Sequence, residues 1–408
     1  MPAAASDRGV KQVRQLLLGL FAITVAALVV GIVLVLKKPR YVYFAPQVDA
    51  DLTYLLVWIG VAVIGILTAL RRKWIFISYG AVLLLAAEAG SQLYSYKTTG
   101  AFARVAPPLY FKRFEPHPLL VGIPREGNYA GIVHDAQHRR RTWNEGKRAE
   151  PKYIFVFGGS TTYDIANEDL ATWPSDLSRL LGKDYTVENY GVPGYTSLEN
   201  MIQSLFAFRE TRPVCAIYFE GINDLRSAHI RNLRVDYSDF QLPAQRTSLA
   251  VMPPPGLLTN YSAFIKLLVS LIPGTRGEGI PIEGDVSGQT DPRLTAIYME
   301  NMRLIADIDR HFGVKAIFVA NMADYADLNS GKFSARMPFV RDKDIEVLLP
   351  ALGRDLAQAA TDSGSIFLAG PLAQDWAPAD FVDNAHFSVQ GAQKFAQAIA
   401  GDIAAQCQ

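Results

Sequence analysis

The chain has 408 residues, 50% of them apolar, with 40 basic and 39 acidic side chains for a net charge of +1. That balance, with no long basic run or face, gives no electrostatic footprint for nucleic acid. Two cysteines, Cys215 and Cys407, are too few for a zinc site or a disulfide framework.

The apolar excess lies in the first hundred residues. Residues 16–36 form an uncharged run long enough to cross a hydrocarbon core of ~30 Å as a helix. Residues 52–70 form a second run, and residues 74–96 a third, interrupted by Glu88. The first run is too long for a signal-peptide core, lacks a small-residue cleavage site and is followed by two more spans. Residues 1–96 therefore read as a membrane anchor of three retained helices.

Basic flanks set the expected orientation. Arg8, Lys11, Arg14, Arg71, Arg72 and Lys73 share one side, against Lys37, Lys38 and Arg40 on the other. Lys97, Arg104, Lys112 and Arg113 weaken the bias, but a large folded domain translocates despite such charges. The expectation is a multi-pass protein of the cytoplasmic membrane, N-terminus inside and C-terminal domain outside. Glu88 is the one ionisable residue within a span and so a functional candidate. Contact with headgroups or protein is its simpler explanation.

Residues 97–150, rich in Pro, Gly and charge, read as a linker and lead-in. From 151 to 408 short apolar runs alternate with helical patterns. Strands are expected at 153–157, 186–189, 215–219, 316–320 and 366–369, with amphipathic helices at 173–181, 294–312 and 345–363. Such alternation predicts an α/β fold, a three-layer α/β/α sandwich around a central parallel sheet. Residues 226–291 break the alternation as an insertion around an apolar segment, 257–272, too short to span a bilayer. A core helix, a lid and a surface-seeking helix near the membrane are all compatible with it, core packing being the ordinary fate of an apolar stripe. Cys215 sits in an apolar run as a small hydrophobe, and pairing with Cys407 requires an oxidising compartment.

Loops at the carboxyl ends of parallel strands line the ligand crevice of such a sheet. After the first strand comes Gly158-Gly159-Ser160-Thr161-Thr162, a sharp turn that exposes a hydroxyl but lacks the Gly-Lys-Ser/Thr ending of a phosphate-binding loop. After the second comes Asn189-Tyr190-Gly191-Val192-Pro193-Gly194-Tyr195-Thr196-Ser197, and after the third Gly221-Ile222-Asn223-Asp224. Near the end, Asp383-Asn384-Ala385-His386-Phe387-Ser388 leads into a helix around 390–399. An Asp three residues before a His is able to orient the imidazole through Nδ1 and leave Nε2 free. Singly each block has a bland reading as cap, turn or surface group. Together they supply a hydroxyl, a base, an orienting carboxylate and fixed donors, the parts acyl transfer needs.

These four blocks, in this order and at strand ends, resemble the SGNH or GDSL hydrolases, named for Ser, Gly, Asn and His. The resemblance covers about residues 150–408. It implies Ser160 as nucleophile and first oxyanion donor, Gly194 and Asn223 as the other oxyanion donors, and Asp383 and His386 as the base pair. One departure is visible: the family's Gly-Asp-Ser is here Gly158-Gly159-Ser160. Residues 114–143, with Glu115-Pro116-His117-Pro118 and Arg139-Arg140-Arg141-Thr142, loosely resemble the lead-in of bacterial members tied to envelope polysaccharides.

The resemblance implies a serine esterase or O-acyltransferase acting on an acylated envelope or extracellular polysaccharide, with the membrane and other polysaccharide-assembly proteins as partners. A lipid esterase or lysophospholipase is the alternative that the tether and the apolar segment motivate. A degenerate glycan-binding member is the one Gly159 motivates. No metal or cofactor is expected, since His117, His134, His138, His229 and His311 are scattered and none has zinc-ligand spacing.

Overall fold

The computed structural model describes residues 2–37, 45–99, 102–103, 113–129, 131–239, 261–271, 282–330 and 337–408. Lys38, Arg40, Arg104 and Lys112 of the orientation argument lie outside the described residues, as do residues 257–260 and 272 of the apolar segment. The chain divides into two compact units: residues 1–40, 44–109 and 251–277 in the first, 41–43, 110–250 and 278–408 in the second.

The first unit holds three long helices, α1 (Pro2–Leu36), α2 (Ala45–Ala69) and α3 (Ile75–Thr99). Their segments Gly9–Leu36, Val48–Ala69 and Ile75–Lys97 are long and apolar enough to cross a membrane. Small residues set their approach: a Cβ on Gly65 of α2 would lie 2.2 Å from the Phe21 ring of α1. Polar groups within the unit are paired locally. Ser78 Oγ donates to the Gly65 carbonyl at 3.0 Å, and Arg14 donates to the Leu70 carbonyl at 2.7 Å, at the C-terminal end of α2.

A fourth helix, Ala263–Ser270, belongs to this unit and packs on α3. This corrects the expectation that the apolar segment is core of the α/β domain. The segment carries its own N-cap, Ser262, and its N-terminal amides are satisfied by a side chain of α3.

The second unit is built on five parallel strands: β1 (Lys152–Gly158), β2 (Tyr185–Asn189), β3 (Cys215–Glu220), β4 (Lys315–Ala320) and β5 (Ile366–Phe367), in spatial order 2-1-3-4-5. Each falls where a β-branched or aromatic run is bounded by breakers. β1 and β3 are nearly wholly buried, as a sheet covered on both faces requires. One face packs Ile154, Val156, Ile217 and Phe219 against Trp173 and Leu177 of helix Trp173–Leu180 and Phe395, Ile399 and Ile403 of helix Val389–Gln406. The other packs Phe155, Phe157, Tyr218 and Phe318 against helices Ser197–Glu210, Pro292–Phe312 and Ile345–Ser363. The three-layer α/β/α sandwich is thus the observed architecture.

Residues 113–150 form two small hairpins, Phe114–Glu115 with Ile123–Pro124 and Gly127–Tyr129 with Ile132–His134, and belong to the second unit. Phe114, Leu120, Val121 and Ile132 build a separate apolar cluster with Tyr163, which follows the first sequence block, and with Val192 and Tyr195 of the second. Cys215 and Cys407 are disulfide-bonded, joining β3 to the C-terminal end of helix Val389–Gln406 across a sequence separation of 192. Strand order 2-1-3 places a topological switch between β1 and β3, where an open parallel sheet leaves a crevice at its carboxyl edge.

Candidate active site

β1 runs into that crevice and stops at two glycines. Gly158 adopts φ +149°, and a Cβ there would lie 2.2 Å from Thr162 Oγ1 and 2.7 Å from the Phe219 carbonyl oxygen. Ser160 then opens the single-turn helix Ser160–Tyr163, which ends at Asp164 in the left-handed region, φ +61°. Strand, tight turn and helix together leave the Ser160 hydroxyl partly exposed on a buried scaffold.

The loop before helix Val389–Gln406 brings up the rest. His386 Nε2 lies 2.7 Å from Ser160 Oγ, and His386 Nδ1 lies 2.7 Å from Asp383 Oδ2. Asp383 Oδ1 also accepts the backbone N–H groups of Ala385, at 3.0 Å, and His386, at 2.9 Å. The Asp383–His386 turn is therefore closed around the carboxylate by backbone amides as well as by the imidazole. Burial pushes the Asp383 carboxyl up, but the charge of His386, its hydrogen bond and the two amides outweigh that and hold it below its ordinary value.

Asn223, in the loop after β3, reaches across the switch point. Its Nδ2 donates to the Tyr195 carbonyl at 2.8 Å, and it occupies the space beside Gly159, where a Cβ would approach that nitrogen to 2.2 Å. A side chain at 159 would therefore require the Asn223 amide to move. Gly194, φ +90°, immediately precedes Tyr195 in the turn that Asn223 holds. Ser160, His386 and Asp383 are thus in direct hydrogen-bonded sequence, with Asn223 beside the Ser160 turn and Gly194 in the adjoining turn.

Buried polar groups lock the loops to one another. Asp224 accepts the Ser197 hydroxyl at 2.5 Å and the Tyr237 hydroxyl at 3.0 Å, tying the Gly194 turn to the Asn223 loop. Burial raises Asp224 to about 6 and Glu199, which caps the same turn through Thr196 N, to about 7. On the other flank, Arg140 is fully buried and donates to Asp169 and to the carbonyls of Tyr163, Asp164 and Asn167. Asn167 Nδ2 in turn donates to Asp164 Oδ1 at 2.8 Å and to the Phe387 carbonyl at 3.2 Å, next to His386. Burial pushes Asp164 up to about 7. This Arg140–Asp164–Asn167 network joins the serine turn to the histidine loop, and the sequence hinted at it only through the Arg139-Arg140-Arg141 run.

A cavity of about 600 Å³ opens between the loops after β4 and β5, lined chiefly by apolar side chains, among them Met322, Leu349, Phe367, Trp376 and Phe381, with Asp324 and Arg354 also on its walls. A smaller pocket of about 170 Å³ shares Asp324, Ala326, Pro378 and Phe381 with it and is bounded by Asp383 itself.

No protein-family model and no curated protein matches the sequence. Among solved structures the chain is similar to TesA, at 14% identity over 62% of this chain and 99% of that one, TM-score 0.38. It is also similar to a GDSL-like lipase from Bacteroides thetaiotaomicron, at 14% identity over 62% and 87%, TM-score 0.34. An acetyl xylan esterase follows at 10% identity over 62% and 99%, TM-score 0.36.

Proposed function

We propose that this chain is a membrane-anchored serine hydrolase of the SGNH type that removes or transfers a small acyl group on a carbohydrate through an acyl-Ser160 intermediate. The observation that carries the reading is the unbroken relay Ser160 Oγ–His386 Nε2, His386 Nδ1–Asp383. A serine hydroxyl at its ordinary pKa is a weak nucleophile, and an oriented imidazole within hydrogen-bond reach is what activates it. His386 takes the Ser160 proton as Oγ attacks the ester carbonyl, and Asp383 stabilises the imidazolium. The oxyanion meets the N–H of Ser160, the N–H of Gly194 and the side-chain amide of Asn223. Collapse expels the sugar alcohol, which takes its proton from His386. Water, or a second sugar hydroxyl in the transferase version, then loses a proton to His386 as it attacks the acyl carbon, and Ser160 Oγ leaves taking that proton back from His386.

Three apolar helices and the disulfide support a site outside the cytoplasmic membrane, since disulfides persist in oxidising compartments. The 600 Å³ apolar cavity, which shares walls with the small pocket bounded by Asp383, favours a second reading, an esterase for longer acyl chains.

The test is turnover by the full chain in detergent of acetylated xylan, aryl acetates and long-chain aryl esters, beside Ser160→Ala. The proposal expects acetylated substrates to be deacetylated and the variant to be inactive. Long-chain esters cleaved far better than acetates would move the reading to a lipid esterase. Turnover unchanged in Ser160→Ala would remove Ser160 from the chemistry.

A further inference from the structure

Glu88 lies near the middle of the span Ile75–Lys97 and is almost completely buried. Its Oε1 accepts the N–H of Ala263 at 2.8 Å, and its Oε2 accepts the N–H of Phe264 at 3.1 Å and the Ser262 hydroxyl at 2.8 Å. The Tyr54 hydroxyl of α2 adds a fourth bond at 2.6 Å. Ser262 Oγ itself accepts the N–H of Ile265, at 3.2 Å, and Trp58 Nε1 donates to the Tyr261 carbonyl at 2.9 Å. The first three amides of helix Ala263–Ser270 therefore all have side-chain acceptors, two of them oxygens of one carboxylate.

A helix in water leaves such amides to the solvent, and no neighbour is required to cap them. In hydrocarbon every one must be paired inside the protein. A carboxylate within a span is likewise tolerated only where it meets donors. Glu88 and the helix N-terminus meet both requirements at once, and the N-terminal end of the helix dipole favours the negative charge. The rest of the helix fits the same medium. Phe264, Ile265, Leu267, Leu268 and Val269 make it apolar, and Leu268 and the following Leu271 are exposed to 46% and 65%. Lys266, the one ionisable side chain, has the long stem that lets an ammonium reach headgroups.

We infer that residues 261–271 form a helix embedded in the bilayer beside the C-terminal half of α3, that its exposed leucines contact lipid acyl chains, and that Glu88 is its intramembrane cap. The inference rests on the anchor alone and stands apart from the catalytic reading.

The experiment uses the full chain in phosphatidylcholine vesicles. Cys215 and Cys407 are bonded to each other, so an introduced cysteine is the one free thiol. A fluorophore on Leu268→Cys is expected to be quenched by lipids brominated on the acyl chain and shielded from iodide. The same fluorophore on Val235→Cys, a position 74% exposed in the second unit, is expected to do the reverse. Equal quenching by iodide at both positions would overturn the inference. Adding Glu88→Ala to the Leu268→Cys chain is expected to shift quenching from lipid to iodide while the Val235 probe is unchanged. Undiminished lipid quenching there would overturn the role of Glu88.

Discussion

Glu88 in the first unit and Asp383 in the second are both carboxylates held by several short hydrogen bonds, and in both two of the donors are backbone amides. Around Glu88 the remaining donors are the hydroxyls of Ser262 and Tyr54. Neither amides nor hydroxyls give up protons near neutral pH. The bond set is therefore fixed, and the acid holds one chain segment against another. Around Asp383 the remaining donor is an imidazole whose far nitrogen faces a serine hydroxyl. Exchange of one inert donor for a titratable one is what separates the two carboxylates.

That contrast is open to direct attack. The largest expected effect is in Asp383→Asn, where the amide keeps the shape but loses the charge that stabilises the imidazolium. A fall in kcat of ~10⁴-fold is expected, by analogy with the same change in other triads, with thermal stability little altered. Glu88→Gln is expected to show the opposite pattern: unchanged hydrolysis of a water-soluble aryl acetate. A loss of turnover in both variants would erase the distinction. A smaller effect is expected at Gly159, where a methyl group would meet Asn223 Nδ2 at 2.2 Å. Gly159→Ala should cost ~1–3 kcal/mol in denaturant unfolding, as overpacking does, with a lowered kcat as the Asn223 amide moves. Wild-type stability and turnover in that variant would mean that Asn223 has another place to go.

Much of the second unit was legible because its signals are local. β1, β3 and β4 are runs of aromatic and branched residues between breakers, and their observed bounds differ from the expected ones by one residue at both ends of β1 and at one end of β3 and β4. The order of the blocks carrying Ser160, Gly194, Asn223 and His386 was visible for the same reason: each is a turn at a strand end or a helix start. What stayed hidden depends on contacts between distant segments. The Cys215–Cys407 bond spans 192 residues, and no spacing distinguishes it from two buried thiols. Arg140 reads as one of three consecutive arginines, yet it alone is fully buried against the carbonyls that follow the serine turn. The apolar segment around Ala263–Ser270 has the periodicity of a core helix. Its place in the first unit depends on Glu88, 175 residues away from Ala263.

The central claim, an activated serine at position 160, is tested most directly by intact-mass and peptide mapping of the full chain after treatment with a serine-directed fluorophosphonate. A single adduct on Ser160 is expected, one that forms in the wild type, slows sharply in Asp383→Asn and is absent in Ser160→Ala. An unmodified Ser160, or an adduct that forms equally fast without Asp383, would contradict it.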